Sequence, residues 1–192
     1  MSENNKNKLA IEQFLPADFL YLIGAYLQTC AHIEQATCAL ITCLGGLRPA
    51  DQEWFKKYCE TRKLPTSELL KSLRASSDDA SEFGFAEELR SLCDWVENFK
   101  SNRHMAAHGA FVGSQDEFLR VDYVHNTATR KNPNYEREHT AITRNLVEDA
   151  CSDANRIYLI VLGLLETIET GLTIEVARVA FPIVTHPSST QR

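Results

Sequence analysis

Phe99–Lys100–Ser101–Asn102–Arg103–His104–Met105–Ala106–Ala107–His108–Gly109 is the stretch whose reading decides the fold of this chain. An apolar rhythm at helical spacing runs into it through Phe85, Leu89, Leu92, Val96 and Phe99, and Arg103 and Ala106 continue the same seam. One arginine and two histidines fall within six residues, and a glycine follows at once. Glycine is the usual residue just past a helix C-terminus. The spacing predicts a helix from Phe83 or Phe85 to His108, with its core-facing stripe carried into a strongly basic end.

Upstream, Pro16 suits a first helical turn and Gly45–Gly46 a stop, which predicts a helix over Pro16–Leu44. Its stripe reads Leu20, Ile23, Leu27, Cys30, Glu34, Cys38 and Ile41. Glu34 is the odd member. On an apolar face a carboxylate needs a partner or a raised pKa, unless it lies at the stripe's edge and reaches water. A short helix over Ala50–Arg62 follows, with Trp54, Phe55 and Tyr58 on one face. Pro65–Thr66–Ser67–Glu68 then signals a start capped by Thr or Ser, predicting a helix over Ser67–Ala75. Ser76–Ser81 reads as a polar loop.

Downstream the period changes from helix to strand. Phe111–Val112 and Phe118–Val124 flank Gly113–Asp116, a β-hairpin pattern. Asn126–Asn134 is a polar loop with Arg130 and Lys131, and Tyr135–Ile142 is a possible third extended segment. The last long helix is predicted over Thr143–Thr170, with the stripe Leu146, Ala150, Asp153, Ile157, Val161, Leu164 and Ile168. A short helix over Ile174–Ala180 precedes an irregular tail marked by Pro182 and Pro187. The expected fold is all-α: an antiparallel helical bundle with a small β-hairpin insertion, at about 110–142, before the last long helix. Residues 1–12 are expected to be disordered, 13–172 to form the domain, and 173–192 a tail.

At 192 residues the chain is long enough to bury a real core as one domain. A net charge of -6 argues against broad, non-specific nucleic-acid binding, though it leaves room for a local basic site. Six cysteines occur without a C-x-x-C pair, mostly within apolar helical patterns. Buried free thiols in a reducing cytoplasm fit them better than disulfides or zinc. The start of the chain is polar and has no signal-peptide pattern. The longest apolar runs, Phe19–Leu27 and Ile157–Leu165, are nine residues each. A membrane span needs about 20, so no membrane partner is expected.

Arginine offers a planar fork of donors for phosphate, and histidine exchanges protons near neutral pH. Together they supply what RNA phosphodiester cleavage needs without a metal: a base, an acid and a cation. His104 and His108, four apart, share a helix face. Arg103 and His108, five apart, diverge by about 140°. They converge only if the helix loosens at its end or a second copy completes the site. Two other readings stand beside this one. His-x-x-x-His is half a zinc site, with Met105 where H-E-x-x-H has its glutamate and with Glu34, His32, His125 or His139 as a possible third ligand. Histidines also serve as C-terminal helix caps, and on the residues alone capping is the most economical account. Cys93 is too far along the helix to form a nucleophile pair with His104.

The run Asn102–Arg103–His104–Met105–Ala106–Ala107–His108–Gly109 at a helix end resembles the R-x4-H motif of the HEPN superfamily, with Arg103 as its arginine, His104 as its polar residue and His108 as its histidine. The resemblance covers residues 15–170 loosely and is specific only at the motif, where His104 replaces the more usual Asn. It implies a helical bundle that forms a homodimer, with two motifs facing each other across the interface. It also implies either a cofactor-free, metal-independent endoribonuclease, often a toxin with an antitoxin partner or a phage-defence effector, or a non-catalytic module binding nucleotide, RNA or protein. On this resemblance Arg103, His104 and His108 would be catalytic. Glu34 and Asn102 would support them, Glu34 by holding Arg103. Arg120, Arg130, Lys131, Arg137 and Arg144 could contact RNA backbone.

Overall fold

The computed structural model describes residues 10–113, 119–126 and 135–171. Helices dominate: α1 (Ala17–Leu44), α2 (Trp54–Thr61), α3 (Thr66–Ala75), α4 (Ala86–His108) and α5 (Arg144–Thr170). Between α4 and α5 lie β1 (Ala110–Gly113), β2 (Leu119–Asn126) and β3 (Tyr135–Ile142). The chain divides into two compact units. One takes the chain up to Gln28 with Ser101–Ser152, and the other takes Thr29–Lys100 with the chain from Asp153. Among the described residues no helix is long and apolar enough to cross a membrane.

The first unit holds the basic stretch. The expected hairpin is a three-stranded antiparallel sheet in the order β1–β2–β3, so the third extended segment completes it. Phe111 stands opposite Val121, and Val121 opposite Thr140. Leu15, Phe19, Val121, Ile142 and Val147 form the buried core, with Leu20, Leu22, Ile23, Met105, Phe111 and Cys151 packed against it. Burying one such large apolar side chain fully is worth about 1.5–3 kcal/mol. The expectation of disorder over 1–12 is corrected where the described residues begin. Ala10–Gln13 forms a 3-10 turn, and Phe14 and Leu15 donate backbone hydrogen bonds to the Ile11 carbonyl. Burial of Leu15 gives that turn its anchor. Residues 1–9 and the expected helix at 174–180 lie outside the described residues.

The second unit draws its core from several helices: Leu40 of α1, Leu70 and Leu73 of α3, Leu89 and Leu92 of α4, and Ile157, Val161 and Leu164 of α5 are all fully buried. α1 ends as expected, because Gly46 takes φ +86°, a left-handed conformation that favours glycine. α2 is shorter than the expected Ala50–Arg62, since Asp51 accepts the backbone N–H of Arg48 and closes a turn ahead of it. Phe55 is 66% exposed and leaves the aromatic face, whereas Trp54 and Tyr58 stack at 5.0 Å with their planes 7° apart. α3 begins at Thr66 with Pro65 in the cap position, so no Thr or Ser side chain caps it. The polar loop tightens into a 3-10 turn over Asp79–Phe83.

Two stripes differ in phase from the sequence pattern. In α1 only Cys38 of the expected set is buried, and the buried face instead runs Phe19, Tyr26, Ile33, Thr37, Leu40 and Leu44. With no charge between Phe19 and Leu27, apolar residues surround that part of the helix and spacing leaves its face undetermined. In α5 the pattern holds from Ile157 to Ile168, but Leu146 is 54% exposed and Val147 takes the core position. Thr143 caps α5, its Oγ1 accepting the backbone N–H of Leu146 at 3.2 Å.

Gly109 joins α4 to the sheet. It is not held in a left-handed conformation; a Cβ there would lie 2.5 Å from Val121 Cγ2 and 2.6 Å from the Met105 carbonyl oxygen. Its N–H donates to that same oxygen at 2.7 Å. Only a residue without a side chain lets β2 approach this closely. Gly109→Ala should therefore destabilise the protein by about 1–3 kcal/mol, the usual cost of overpacking. Urea unfolding followed by far-ultraviolet circular dichroism checks this, and an unchanged midpoint overturns the close-approach account.

Candidate functional site

The last turns of α4 carry Asn102, Arg103, His104 and His108. Arg103 is half-buried, while Asn102, His104 and His108 are exposed. The helix is assigned through His108, and the Gly109 N–H bond to Met105 O at 2.7 Å closes its last turn. The end does not loosen, so Arg103 and His108 leave the axis about 140° apart. Met105, between the two histidines in sequence, packs against the core cluster of the first unit.

His104 and His108 meet on the exposed face. Their ring centres are 4.8 Å apart, and the planes are inclined at 69° in an edge-to-face contact. Partial burial lowers the His104 pKa below the ordinary histidine value, and the charges of His108 and Arg103 push the same way. A neutral imidazole is a proton acceptor, and the neighbouring residue in sequence, Arg103, is a cation. The stretch therefore sets a permanent cation next to a group that accepts protons.

The other expected residues are distributed through the fold. Glu34 belongs to the second unit and is half-buried within α1. There it lines a pocket with Gln35, Cys38, Arg62, Thr66 and Leu69. Burial pushes the Cys38 thiol to about 11, Arg62 pulls it down and Glu34 pushes it up, so both charges act at this pocket. Arg62, which the sequence patterns passed over, lies 5.8 Å from the Tyr58 ring centre. The signal was available, since Trp54, Tyr58 and Arg62 repeat every four residues.

Arg120 stands in β2 opposite Val112 and Ala141, and Arg137 in β3 opposite Val124. Arg130 and Lys131 lie outside the described residues. Arg144 opens α5, where its guanidinium pairs with Asp18 and, at 2.7 Å, with Glu148. Cys38, Cys43 and Cys93 are buried, and none of the six cysteines, all among the described residues, is in a disulfide. Burial raises Cys93 to about 11, which removes it as a nucleophile near neutral pH. Among the described residues no three His, Cys, Asp or Glu side chains gather as a metal-ligand set.

Comparison with protein-family models, curated proteins and solved structures finds no match to this chain.

The lowered His104 pKa has a signed consequence. The unfolded chain takes up the proton at higher pH than the folded one. The stability His104 contributes is thus present above the ordinary histidine pKa and lost as pH falls through the folded value. An NMR titration of the imidazole resonances should find His104 below the ordinary value. In His108→Gln it should move up without returning fully, because burial is the larger cause. A His104 titration unchanged by that substitution overturns the coupling.

Proposed function

We propose that this protein is a HEPN-like, metal-independent endoribonuclease that acts as a homodimer. The observation that carries the reading is the pair of exposed, touching imidazoles of His104 and His108 on the last turns of a helix that also bears Arg103. Such a surface pair on a chain of net charge -6 is a local basic site of the kind a phosphodiester needs. The resemblance of Asn102–Gly109 to the HEPN motif supports the same reading.

In this mechanism Arg103 binds the scissile phosphate with its guanidinium fork. His108 works as base or acid, and His104 orients the phosphate or shares the proton transfer. A neutral imidazole removes the proton of the 2′-hydroxyl, and O2′ attacks phosphorus. The bond from phosphorus to O5′ breaks, and an imidazolium returns a proton to O5′. The products are a 2′,3′-cyclic phosphate and a 5′-hydroxyl. Because Arg103 and His108 diverge by about 140° on a helix that stays regular, the reading places the phosphate in a groove where a second copy supplies the missing group. Arg120, Arg130, Lys131 and Arg137 would follow the RNA backbone. Arg144 would do so only by exchanging Asp18 and Glu148 for phosphate. A toxin or phage-defence role in the cytoplasm, with an antitoxin partner, belongs to the same proposal.

Cleavage of total RNA in the presence of EDTA tests it. The wild type should cut, leaving cyclic phosphate ends. His108→Ala and Arg103→Ala should each slow cutting by at least about 100-fold, the lower end of what a positioned proton-transfer group contributes. Light scattering of the same preparation should give twice the chain mass. Intact RNA with folded wild type overturns the enzyme and leaves the non-catalytic dimeric module.

A further inference from the structure

We propose that the pocket between α1 and the turn from α2 to α3 binds a small free α-amino acid, with Arg62 taking its carboxylate and Glu34 its ammonium group. The pocket lies wholly within the second unit and is independent of the ribonuclease reading.

Three pieces of chain build it. α1 supplies Glu34, Gln35 and Cys38, the turn after α2 supplies Arg62, and the start of α3 supplies Thr66 and Leu69. Arg62 and Glu34 thus line one cavity with opposite charges. They do not pair with each other, and among the described residues Arg62 is in no ion pair. Opposite charges that share a cavity without pairing leave a place for a molecule carrying both signs. A ligand with one charge is attracted by one of them and repelled by the other, so the pocket discriminates against it. Both charges reach the cavity wall: burial raises the Cys38 thiol most, Arg62 lowers it and Glu34 raises it further. Glu34 has another interaction in the fold as well. A carboxylate accepts about four hydrogen bonds, so capacity for an ammonium remains.

The cavity measures about 140 Å3. A cavity of about 150 Å3 holds benzene, so the ligand is limited to about six to nine non-hydrogen atoms, the range from alanine to leucine. Its mouth is at the surface, because Gln35 and Arg62 are exposed, while Cys38 and Leu69 are buried and give the side chain an apolar wall. The Thr66 hydroxyl and Gln35 amide each donate and accept hydrogen bonds.

Arg62 is held in place before any ligand arrives. Its backbone N–H donates to the Tyr58 carbonyl at 2.9 Å, and its guanidinium carbon lies 5.8 Å from the centre of the Tyr58 ring. That ring is itself stacked on Trp54. A planar fork supported in this way takes a carboxylate through two parallel hydrogen bonds at a reduced ordering cost.

NMR titration of the full chain with L-alanine, L-valine and L-leucine tests the site. At least one should shift the Arg62 Nε–H, Thr66 amide and Leu69 methyl signals together and saturably, in the millimolar range or tighter. The matched single-charge analogues, isovalerate and isobutylamine in the case of L-valine, should bind at least about tenfold more weakly. Arg62→Gln and Glu34→Gln, checked for folding by circular dichroism, should each weaken the amino acid by a similar factor. Lys63→Gln removes an exposed neighbouring charge that does not line the pocket and should leave binding unchanged. No saturable shift with any of the three amino acids overturns the site. So does equal binding of a single-charge analogue, or unchanged binding by either pocket variant. The analogues are compared on the wild type, so the test stands even where a variant fails to fold. RNA cleavage, present or absent, does not bear on this outcome.

Discussion

The closeness of Gly109 to Val121 is the constraint around which the first unit is arranged. A helix must stop, and the chain must turn immediately into the first strand of a sheet. Here the stop is steric. The Met105 carbonyl accepts the last helical hydrogen bond from Gly109, while the Val121 side chain occupies the space where a Cβ would sit. Val121 is itself 1% exposed and lies in the core with Phe19, Ile142 and Val147. The strand thus fixes the height at which α4 ends, and with it the positions from which Arg103, His104 and His108 project.

Capping alone accounts poorly for His104, whereas His108 lies in the last turn of α4, where a cap belongs. A C-terminal cap works by donating to the final carbonyls or by placing positive charge at the negative end of the helix dipole. His104 has its charged form disfavoured by burial and by its two basic neighbours, which is the wrong direction for a residue serving as a cation. Arg103, the next residue back along α4, is half-buried.

Much of the fold was legible because punctuation is local. Pro16 and Gly45–Gly46 act on their own backbone, and α1 begins and ends where they predict; α4 also stops before Gly109, but there the glycine answers the approach of Val121. Tyr135–Ile142 likewise reads as extended without its partners. What was not legible depends on neighbours far along the chain. Whether Phe19 or Leu20 faces the core is decided by Val121 and Ile142, about a hundred residues away. The choice of Val147 over Leu146 has the same origin. At the site, the sequence supplies the residue types and the 140° divergence, since both follow from helix geometry. The touching of the two rings and the lowered His104 pKa depend on rotamers and local burial, which spacing does not encode. Glu34 shows the limit: its half-burial and its pocket with Arg62 come from packing between helices of the second unit.

The stacked pair of Trp54 and Tyr58 has a bearing on how the two units are observed. Both tryptophans of the chain, Trp54 and Trp95, belong to the second unit, and the unit that carries the Arg–His stretch contains none. Intrinsic tryptophan emission is therefore a report from one half of the molecule. An emission melt follows the surroundings of Trp54 in α2 and Trp95 in α4. A ligand seated on the last turn of α4 has no indole in its own unit, so its arrival is followed by the imidazole resonances of His104 and His108 rather than by tryptophan emission.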